Sequence, residues 1–254
     1  MKEQDIIVRV VLEEYIFPLY NIMLGKSLVY ITVILSLLVQ LITGLISFTG
    51  IFYKLPDDDK ILGEVLSLET GVQLIEFLFY IYLIMSIEWM HTSTVTQRRY
   101  IDWLITTPMM LLSTIMYMEY ENKKQLNQTI RARGFINNNK RNIMHIFLLN
   151  TMMLIAGFLG EAGMLRKVMS IGAGFIFLFL NFGIIYKNYV GDVDINKKLF
   201  MFMLSAWSLY GAAALLPSVM KNVSYNMLDI VSKNFYGLFI FYKIREVGEA
   251  SRRN

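Results

Sequence analysis

Seven long apolar stretches constrain this chain more than any other feature of its sequence. They cover residues 27–53, 66–90, 97–118, 142–161, 168–187, 198–216 and 222–243. A helix needs about 20 mostly apolar residues to cross the hydrocarbon core of a bilayer, and each stretch has about that length. Only 17% of the residues are charged, whereas soluble domains carry about a quarter. The sequence therefore predicts an all-α membrane protein built as a seven-transmembrane helix bundle over residues 27–245.

The distribution of Lys and Arg predicts how the bundle is oriented. The loops after the first, third and fifth stretches, together with the C-terminal tail at 246–254, carry most of the Lys and Arg residues outside the spans. Cytoplasmic loops are enriched in these residues, so we expect the N-terminus outside and the C-terminus in the cytoplasm. Residues 1–26 mix charges with apolar residues, which predicts an extracellular amphipathic segment lying on the membrane rather than a signal peptide.

The composition also excludes several kinds of site. The chain has no cysteine and only two histidines, so disulfides, thiolate metal sites and cysteine nucleophiles are excluded and no metal site is expected. The net charge of +4 is interpreted as a topological bias rather than as a surface for nucleic acid. Short polar segments, such as NNNKRN at 137–142, are interpreted as loops.

Lys233 is the most informative of the few ionisable residues at membrane depth. The others are Glu76, Arg99, Asp102 and Asp229. A charge at this depth costs several kcal/mol unless it is paired or hydrated, so each is a functional candidate. Lys233 lies about 15 Å along its helix from Lys243, too far for its ammonium to reach that end. Asp229 lies one turn earlier on the same face. The pair either locks the helix as an ion pair, or Lys233 loses its proton and forms a Schiff base with a carbonyl.

Asp102 belongs to a polar stripe along the third stretch. At about 100° per residue, Arg99, Thr106 and Ser113 share its face, and Ser113 lies about 16 Å further along the axis. Small hydroxyl residues also join membrane helices by hydrogen bonds, but the aspartate favours a functional stripe.

Three aromatic residues lie inside spans instead of at the membrane interface. Trp103, Trp207 and Tyr210 either pack against neighbouring helices or wall a flat apolar ligand beside Lys233. Because the chain has only three tryptophans and two of them lie inside spans, a ligand site is favoured.

Four motifs resemble those of the microbial rhodopsins, seven-helix proteins that carry retinal on a lysine of the seventh helix. The segment RRYIDWLITTPMMLL (98–112) is similar to the signature of their third helix, and LDIVSK (228–233) to that of the retinal-bearing helix. Two weaker matches are GFLGEAG (157–163) and WSLY (207–210). The motifs occur in the family's order, and the resemblance covers nearly all of residues 27–245.

The resemblance implies a chromophore and its surroundings. Lys233 would carry all-trans retinal as a protonated Schiff base, with Asp102 and Asp229 as counterions and Arg99 as the gate towards the outside. The residues implied to line the chromophore are Tyr100, Trp103, Thr107, Met110, Met153, Trp207 and Tyr210. The family also implies ion transport rather than an enzymatic reaction, a lipid environment, and homo-oligomers, since trimers and pentamers occur in it.

Several positions depart from the pattern of the family's proton pumps. Ser113 stands where pumps usually carry a carboxylate, and the triplet Asp102, Thr106 and Ser113 (DTS) resembles a proteorhodopsin-related group of viral rhodopsins. Gly211 replaces a proline of the sixth helix, and the fifth helix lacks the tryptophan that often flanks the retinal ring. Residues 217–226 contain no carboxylate for external proton release.

We expect a light-driven outward proton pump, with Asp102 as the proton acceptor and Ser113 as a relay through water. Glu76 would be a substitute proton donor. The alternative is a light-gated cation channel, because Glu69 and Glu76 lie seven residues apart, on one helix face, as a cation pathway requires. A photosensor is a third interpretation, but the sequence shows no partner domain.

Overall fold

The structure, a computed structural model, describes residues 17–87 and 89–253, and side chains within 23–87 and 89–251. This part of the chain forms seven long helices. They are α1 (Phe17–Gly50), α2 (Lys60–Ser86), α3 (Thr92–Gln125), α4 (Ala132–Glu161), α5 (Lys167–Ile185), α6 (Asp194–Ala213) and α7, which consists of Ser218–Asp229, a π-helical turn at Ile230–Asn234, and Phe235–Arg253. A 3-10 turn (Asp57–Asp59) precedes α2, and a second π-helical turn (Tyr186–Val190) follows α5. The prediction of seven helices is confirmed.

All seven helices begin before the apolar stretches that predicted them. The clearest case is NNNKRN at 137–142: the prediction of a loop was wrong, because these residues lie inside α4. Apolar residues mark only the part of a helix that lies in lipid, and backbone hydrogen bonding continues into polar residues. Buried Ala132 and Phe135 attach the start of α4 to the core, and Asn139 donates a 2.9 Å hydrogen bond to the Phe135 carbonyl.

The N-terminal boundary also differs from the expected one. Residues 1–16 of the predicted amphipathic segment lie outside the described residues, and residues 17–26 belong to α1. The predicted break between residues 26 and 27 therefore falls within a continuous helix.

The helices form a closed ring in which each packs against the next and α7 returns to α1. α7 also contacts α2 and α3, so these helices and α1 enclose one side of the bundle. Large apolar side chains remain exposed on the outer surface, including Leu38, Leu78 and Phe179. Lipid is the solvent in which such an apolar exterior is stable.

Five helices, α1 to α5, are by length and apolarity able to cross a membrane on their own. Among the described residues α6 and α7 fall short of that measure. α6 begins with charged residues, and α7 carries Asp229 and Lys233 and is interrupted by its π-helical turn. The interruption of α7 and its two charges coincide with the candidate site described below.

Gly160 lets α4 and α5 approach closely. A Cβ atom at this position would overlap the Oγ of Ser170, which is buried and donates a 2.7 Å hydrogen bond to the Ala156 carbonyl. Small residues at such contacts allow membrane helices to pack backbone to backbone.

We predict that Gly160→Ala lowers the thermal unfolding temperature, because the added methyl group must separate α4 from α5, at a cost of about 1–3 kcal/mol. Gly172→Ala on α5 is the matched control, since a Cβ there meets nothing within 4 Å and relieves about 0.5–1 kcal/mol of helix penalty. Circular dichroism in detergent would measure both. Equal unfolding temperatures for the two variants would contradict the proposed close contact.

Candidate functional site

Lys233 lies at the centre of the bundle, surrounded by three carboxylates from three helices. Its Nζ is 2.8 Å from Asp102 Oδ2 of α3, 3.0 Å from Glu76 Oε1 of α2 and 3.5 Å from Asp229 Oδ1 of α7. All four side chains are buried. The ammonium therefore has its countercharges at ion-pair distance, as a cation at membrane depth requires.

The π-helical turn of α7 presents Lys233 to this cluster. The turn spans Ile230–Asn234, and its side chains at Ser232, Lys233 and Asn234 are buried. Single π-helical turns occur inside α-helices mainly at functional sites. Because the turn directly follows Asp229, it sets the relative positions of the lysine and its counterion.

Arg99 neutralises the other side of Asp229. Its Nη1 lies 3.1 Å from Asp229 Oδ2 and 3.2 Å from the hydroxyl of Tyr80, which itself donates a 2.7 Å hydrogen bond to Asp229 Oδ2. Its Nη2 donates to Asn226 Oδ1 and its Nε to Asn222 Oδ1. Arg99 is fully buried, and its guanidinium is held by side chains of α2 and α7.

A cavity of about 760 Å³ of empty space, counted out to its mouth, ends at Lys233. The structure brings together at its walls the seven residues that sequence reasoning placed around the chromophore: Tyr100, Trp103, Thr107, Met110, Met153, Trp207 and Tyr210. The walls are otherwise largely apolar. Apolar walls with a few polar groups are typical of small-molecule sites.

The aromatic walls are ordered by edge-to-face contacts and one polar link. Trp103 contacts Tyr210 and Tyr225 edge to face, with ring centroids 5.5 and 5.1 Å apart. The Tyr210 hydroxyl donates a 2.6 Å hydrogen bond to Asp229 Oδ1. The ring that walls the cavity thus also orients the counterion.

Two glycines widen the cavity. A Cβ at Gly211 would lie 2.7 Å from the ring of Phe175, and a Cβ at Gly157 would lie 2.6 Å from the hydroxyl of Tyr100. At Gly211, where a proline was expected from the resemblance, α6 continues to Ala213, and the missing side chain leaves room for Phe175.

Glu69 and Glu76 lie in different parts of the polar interior. Glu76 contacts Lys233, whereas Glu69 accepts a hydrogen bond from Ser113. Glu76, expected as a substitute proton donor on the Ser113 side, is therefore placed beside Asp102 instead. Both glutamates are fully buried.

Thr106 and Thr107 bond to the backbone of α3. The Thr106 hydroxyl donates to the Asp102 carbonyl at 2.9 Å, not to its carboxylate, and the Thr107 hydroxyl donates to the Trp103 carbonyl at 2.7 Å. Asn150 of α4 donates to Thr107 Oγ1 at 2.7 Å. These bonds hold the segment that carries Asp102 and Trp103.

Sequence reasoning missed Tyr80, Asn222 and Asn226, which complete the Arg99 network. The two asparagines lie in the segment without a carboxylate, and with Asp229 they repeat at helical spacing on one face of α7, a signal that was available. Tyr80 is one of 15 tyrosines and stands out in no way in the sequence.

The comparisons with known proteins agree with this geometry. The family model of bacteriorhodopsin-like proteins matches residues 31–247. Viral rhodopsin OLPVRII is 26% identical with a TM-score of 0.76, over 87% of this chain and 99% of its own. A blue light-absorbing proteorhodopsin from Med12 is 22% identical with a TM-score of 0.67, over 87% and 98%. Xanthorhodopsin, described as a light-driven ion pump with dual chromophore, is 15% identical with a TM-score of 0.68, over 89% and 96%. No curated protein sequence matches.

Seven helices around a buried lysine, with an apolar cavity ending at its amine, define a membrane protein built to hold an apolar ligand in its core. The chain belongs to the bacteriorhodopsin-like family, the microbial rhodopsins, whose model covers most of its length. It is an integral, multi-pass membrane protein.

We predict that Arg99→Gln lowers the free energy of unfolding by about 3–5 kcal/mol, because Asp229 then keeps a buried charge without its arginine. The double variant Arg99→Gln/Asp229→Asn should lose less than the sum of the single variants, with a coupling of about 1–3 kcal/mol. Thermal unfolding in detergent measures the cycle, and Arg98→Gln, at an exposed position, is the control. Additive losses would contradict a direct Arg99–Asp229 interaction.

Proposed function

We propose that this microbial rhodopsin binds all-trans retinal on Lys233 and acts as a light-gated cation channel. The observation that carries the proposal is a row of buried polar side chains that passes Lys233 between α1, α2, α3 and α7. A light-driven outward proton pump is the second candidate.

The cavity supports retinal as the ligand. Retinal is a long apolar polyene with one aldehyde, and the cavity is an apolar space with one amine at its end. Bound to Nζ of Lys233, retinal would supply light absorption and a light-driven change of shape. Trp103, Met110 and Trp207 would hold it by apolar contact.

Asp102 is the side chain best placed to take a proton from Nζ of Lys233, because its Oδ2 lies 2.8 Å away. Asp229 and Glu76 would remain as the other countercharges. Transfer of that proton to Asp102 removes an ion pair between α3 and α7 and so weakens the attraction that holds α2, α3 and α7 together at this level. This change would couple light absorption to the opening of a path.

The polar row extends well beyond the residues that a single proton transfer needs. Each member is at most 6% exposed. The members are Ser36, Gln40, Thr43 and Ser47 of α1, Glu69, Gln73 and Glu76 of α2, Thr96 and Ser113 of α3, and Asn222, Asn226 and Asn234 of α7. Hydrogen bonds join the row across helices: Ser36 donates to the Asn226 carbonyl at 2.9 Å, and Thr43 to Asn234 Oδ1 at 2.6 Å.

The chemistry of the row favours cations. Carboxamides do not bind and release protons at neutral pH, but their oxygens coordinate cations and water. Four carboxyl groups, at Glu69, Glu76, Asp102 and Asp229, outnumber the two bases at Arg99 and Lys233. When these carboxyl groups are ionised, they give the interior a net negative charge, which attracts cations and repels anions.

Two closures would keep the path shut in the dark. On one side of Lys233, the Arg99 guanidinium would block the polar row, where it donates hydrogen bonds to Asn222 and Asn226. On the other side, Ser113 of α3 and Glu69 of α2 are joined by a hydrogen bond. Opening would require both contacts to separate.

The same hydrogen bond supports the second candidate. Ser113 cannot store a proton at neutral pH, but its partner Glu69 can, so the pair supplies the ionisable group that an outward pump needs. Its contact with Ser113 makes Glu69 a better candidate than Glu76 for that role.

The distribution of Lys and Arg supports an orientation in which the N-terminus and Arg99 lie towards the outside and Ser113 lies towards the cytoplasm. The similarity to a viral rhodopsin supports assigning the triplet Asp102, Thr106 and Ser113 to the DTS group. We further propose that the protein forms homo-oligomers in the membrane.

Photocurrents under voltage clamp test the function in cells supplied with retinal. We expect a light-induced current that changes sign near the cation equilibrium potential, since a channel only lets ions move down their gradient. An outward current without reversal at any accessible voltage, with light-driven external acidification, would instead establish the pump.

Removal of the amine tests the chromophore site. We expect Lys233→Ala to be colourless in membranes supplied with retinal, because Lys233 is the one lysine among the described residues that line the cavity. Lys243→Ala, which removes a partly exposed lysine paired with Glu246, should keep its colour. Visible absorption spectra measure both, and a coloured Lys233→Ala protein would overturn the assignment.

A further inference from the structure

We infer that Gln73 is the residue that selects among permeating cations, through a carboxamide held in a slot between α1 and α7. The inference rests on the proposed channel function and concerns the Ser113 side of Lys233. The slot is formed by two helical glycines, Gly44 of α1 and Gly237 of α7, which face the same side chain from opposite sides.

The two glycines leave room for Gln73 and for little else. A Cβ at Gly237 would overlap Nε2 of Gln73, and a Cβ at Gly44 would lie 3.7 Å from its Oε1. Helical glycines are unfavourable unless a close approach requires them. Here the approach is that of the carboxamide itself, which is 1% exposed.

The polar atoms of Gln73 make no hydrogen bond to the described part of the protein. Neither Nε2 nor Oε1 has a hydrogen-bond partner among the described residues. The same holds for both polar atoms of Gln40, for Ser47 Oγ and for Glu69 Oε2. Buried polar groups are normally hydrogen-bonded, so a leucine-sized apolar residue would fill the slot better than a glutamine. The unpaired polar atoms of Gln73 and Ser47, which both lie beside Gly237, point instead to a ligand.

The position of the slot indicates a cation as that ligand. Gln73 follows Glu69 by four residues and precedes Glu76 by three, so the three side chains share one face of α2. An anion would be repelled by the two glutamates when they are ionised, whereas their oxygens can coordinate a cation. A cation that leaves Glu76 for Glu69 must therefore pass the carboxamide, where it exchanges water for the oxygens of Gln73 and Ser47. The width of the slot would then decide which cations pass.

Reversal potentials of photocurrents with Na⁺ on one side and Cs⁺ or methylammonium on the other test the inference. We expect Gln73→Ala to raise the permeability of the larger cations relative to Na⁺ several-fold, because the slot becomes wider. Unchanged reversal potentials would overturn the inference. If the wild-type current does not reverse at all, the channel function fails instead, so the two failures are distinguishable.

Gly237→Ala tests the slot from the opposite helix. We expect it to reduce the photocurrent at least tenfold, because the methyl group displaces Gln73, and we expect Gln73→Ala/Gly237→Ala to restore it. Gly183→Ala on α5, where a Cβ meets nothing within 4 Å, is the matched control. If Gly237→Ala forms no pigment, the double variant should restore pigment by the same reasoning. A double variant as impaired as Gly237→Ala would overturn the assignment.

Discussion

The ammonium of Lys233 at membrane depth is the constraint on which the rest of the interior depends. A lone cation there would be expelled or neutralised, so the bundle supplies carboxylates from α2, α3 and α7 within 3.5 Å. Those buried carboxylates must also be paired or hydrogen-bonded. Asp229 is satisfied by Arg99, Tyr80 and Tyr210, and Arg99 in turn by asparagines. One buried charge thus accounts for a network that reaches four helices.

The network lies between two parts of the interior, the apolar cavity and the polar row. The aromatic and apolar wall of the cavity is built from Trp103 of α3 together with residues of α4, α5 and α6, among them Met153 and Trp207. The polar row lies towards α1 and α2. Lys233 stands where the two meet, so an event in the apolar cavity acts directly on the polar side. The proposed function requires this juxtaposition, because light absorbed in the cavity must act on the polar row.

Much of the fold followed from the sequence, because apolar length alone predicts spans and their number. Charges at membrane depth were equally informative, since few residues are found there without a reason, and Lys233, Asp102 and Asp229 are indeed brought together. The placement of Glu76 beside Lys233 was not predictable, because it depends on which helices are neighbours and on their rotation. Tyr80 carried no signal among many tyrosines, and the polar start of α4 was mistaken for a loop because polarity was read as irregular structure.

The π-helical turn in α7 has a consequence for the geometry on both sides of it. One extra residue in a turn shifts the phase of everything that follows by about 100° relative to a regular helix. The side chains before and after the turn therefore point in different directions around the helix axis than they would in a regular helix. Before the turn, Asn222 and Asn226 face Arg99. After the turn, Gly237 faces Gln73. A regular α-helix through this region could satisfy only one of these alignments. The irregular turn is what allows a single helix to serve both halves of the membrane.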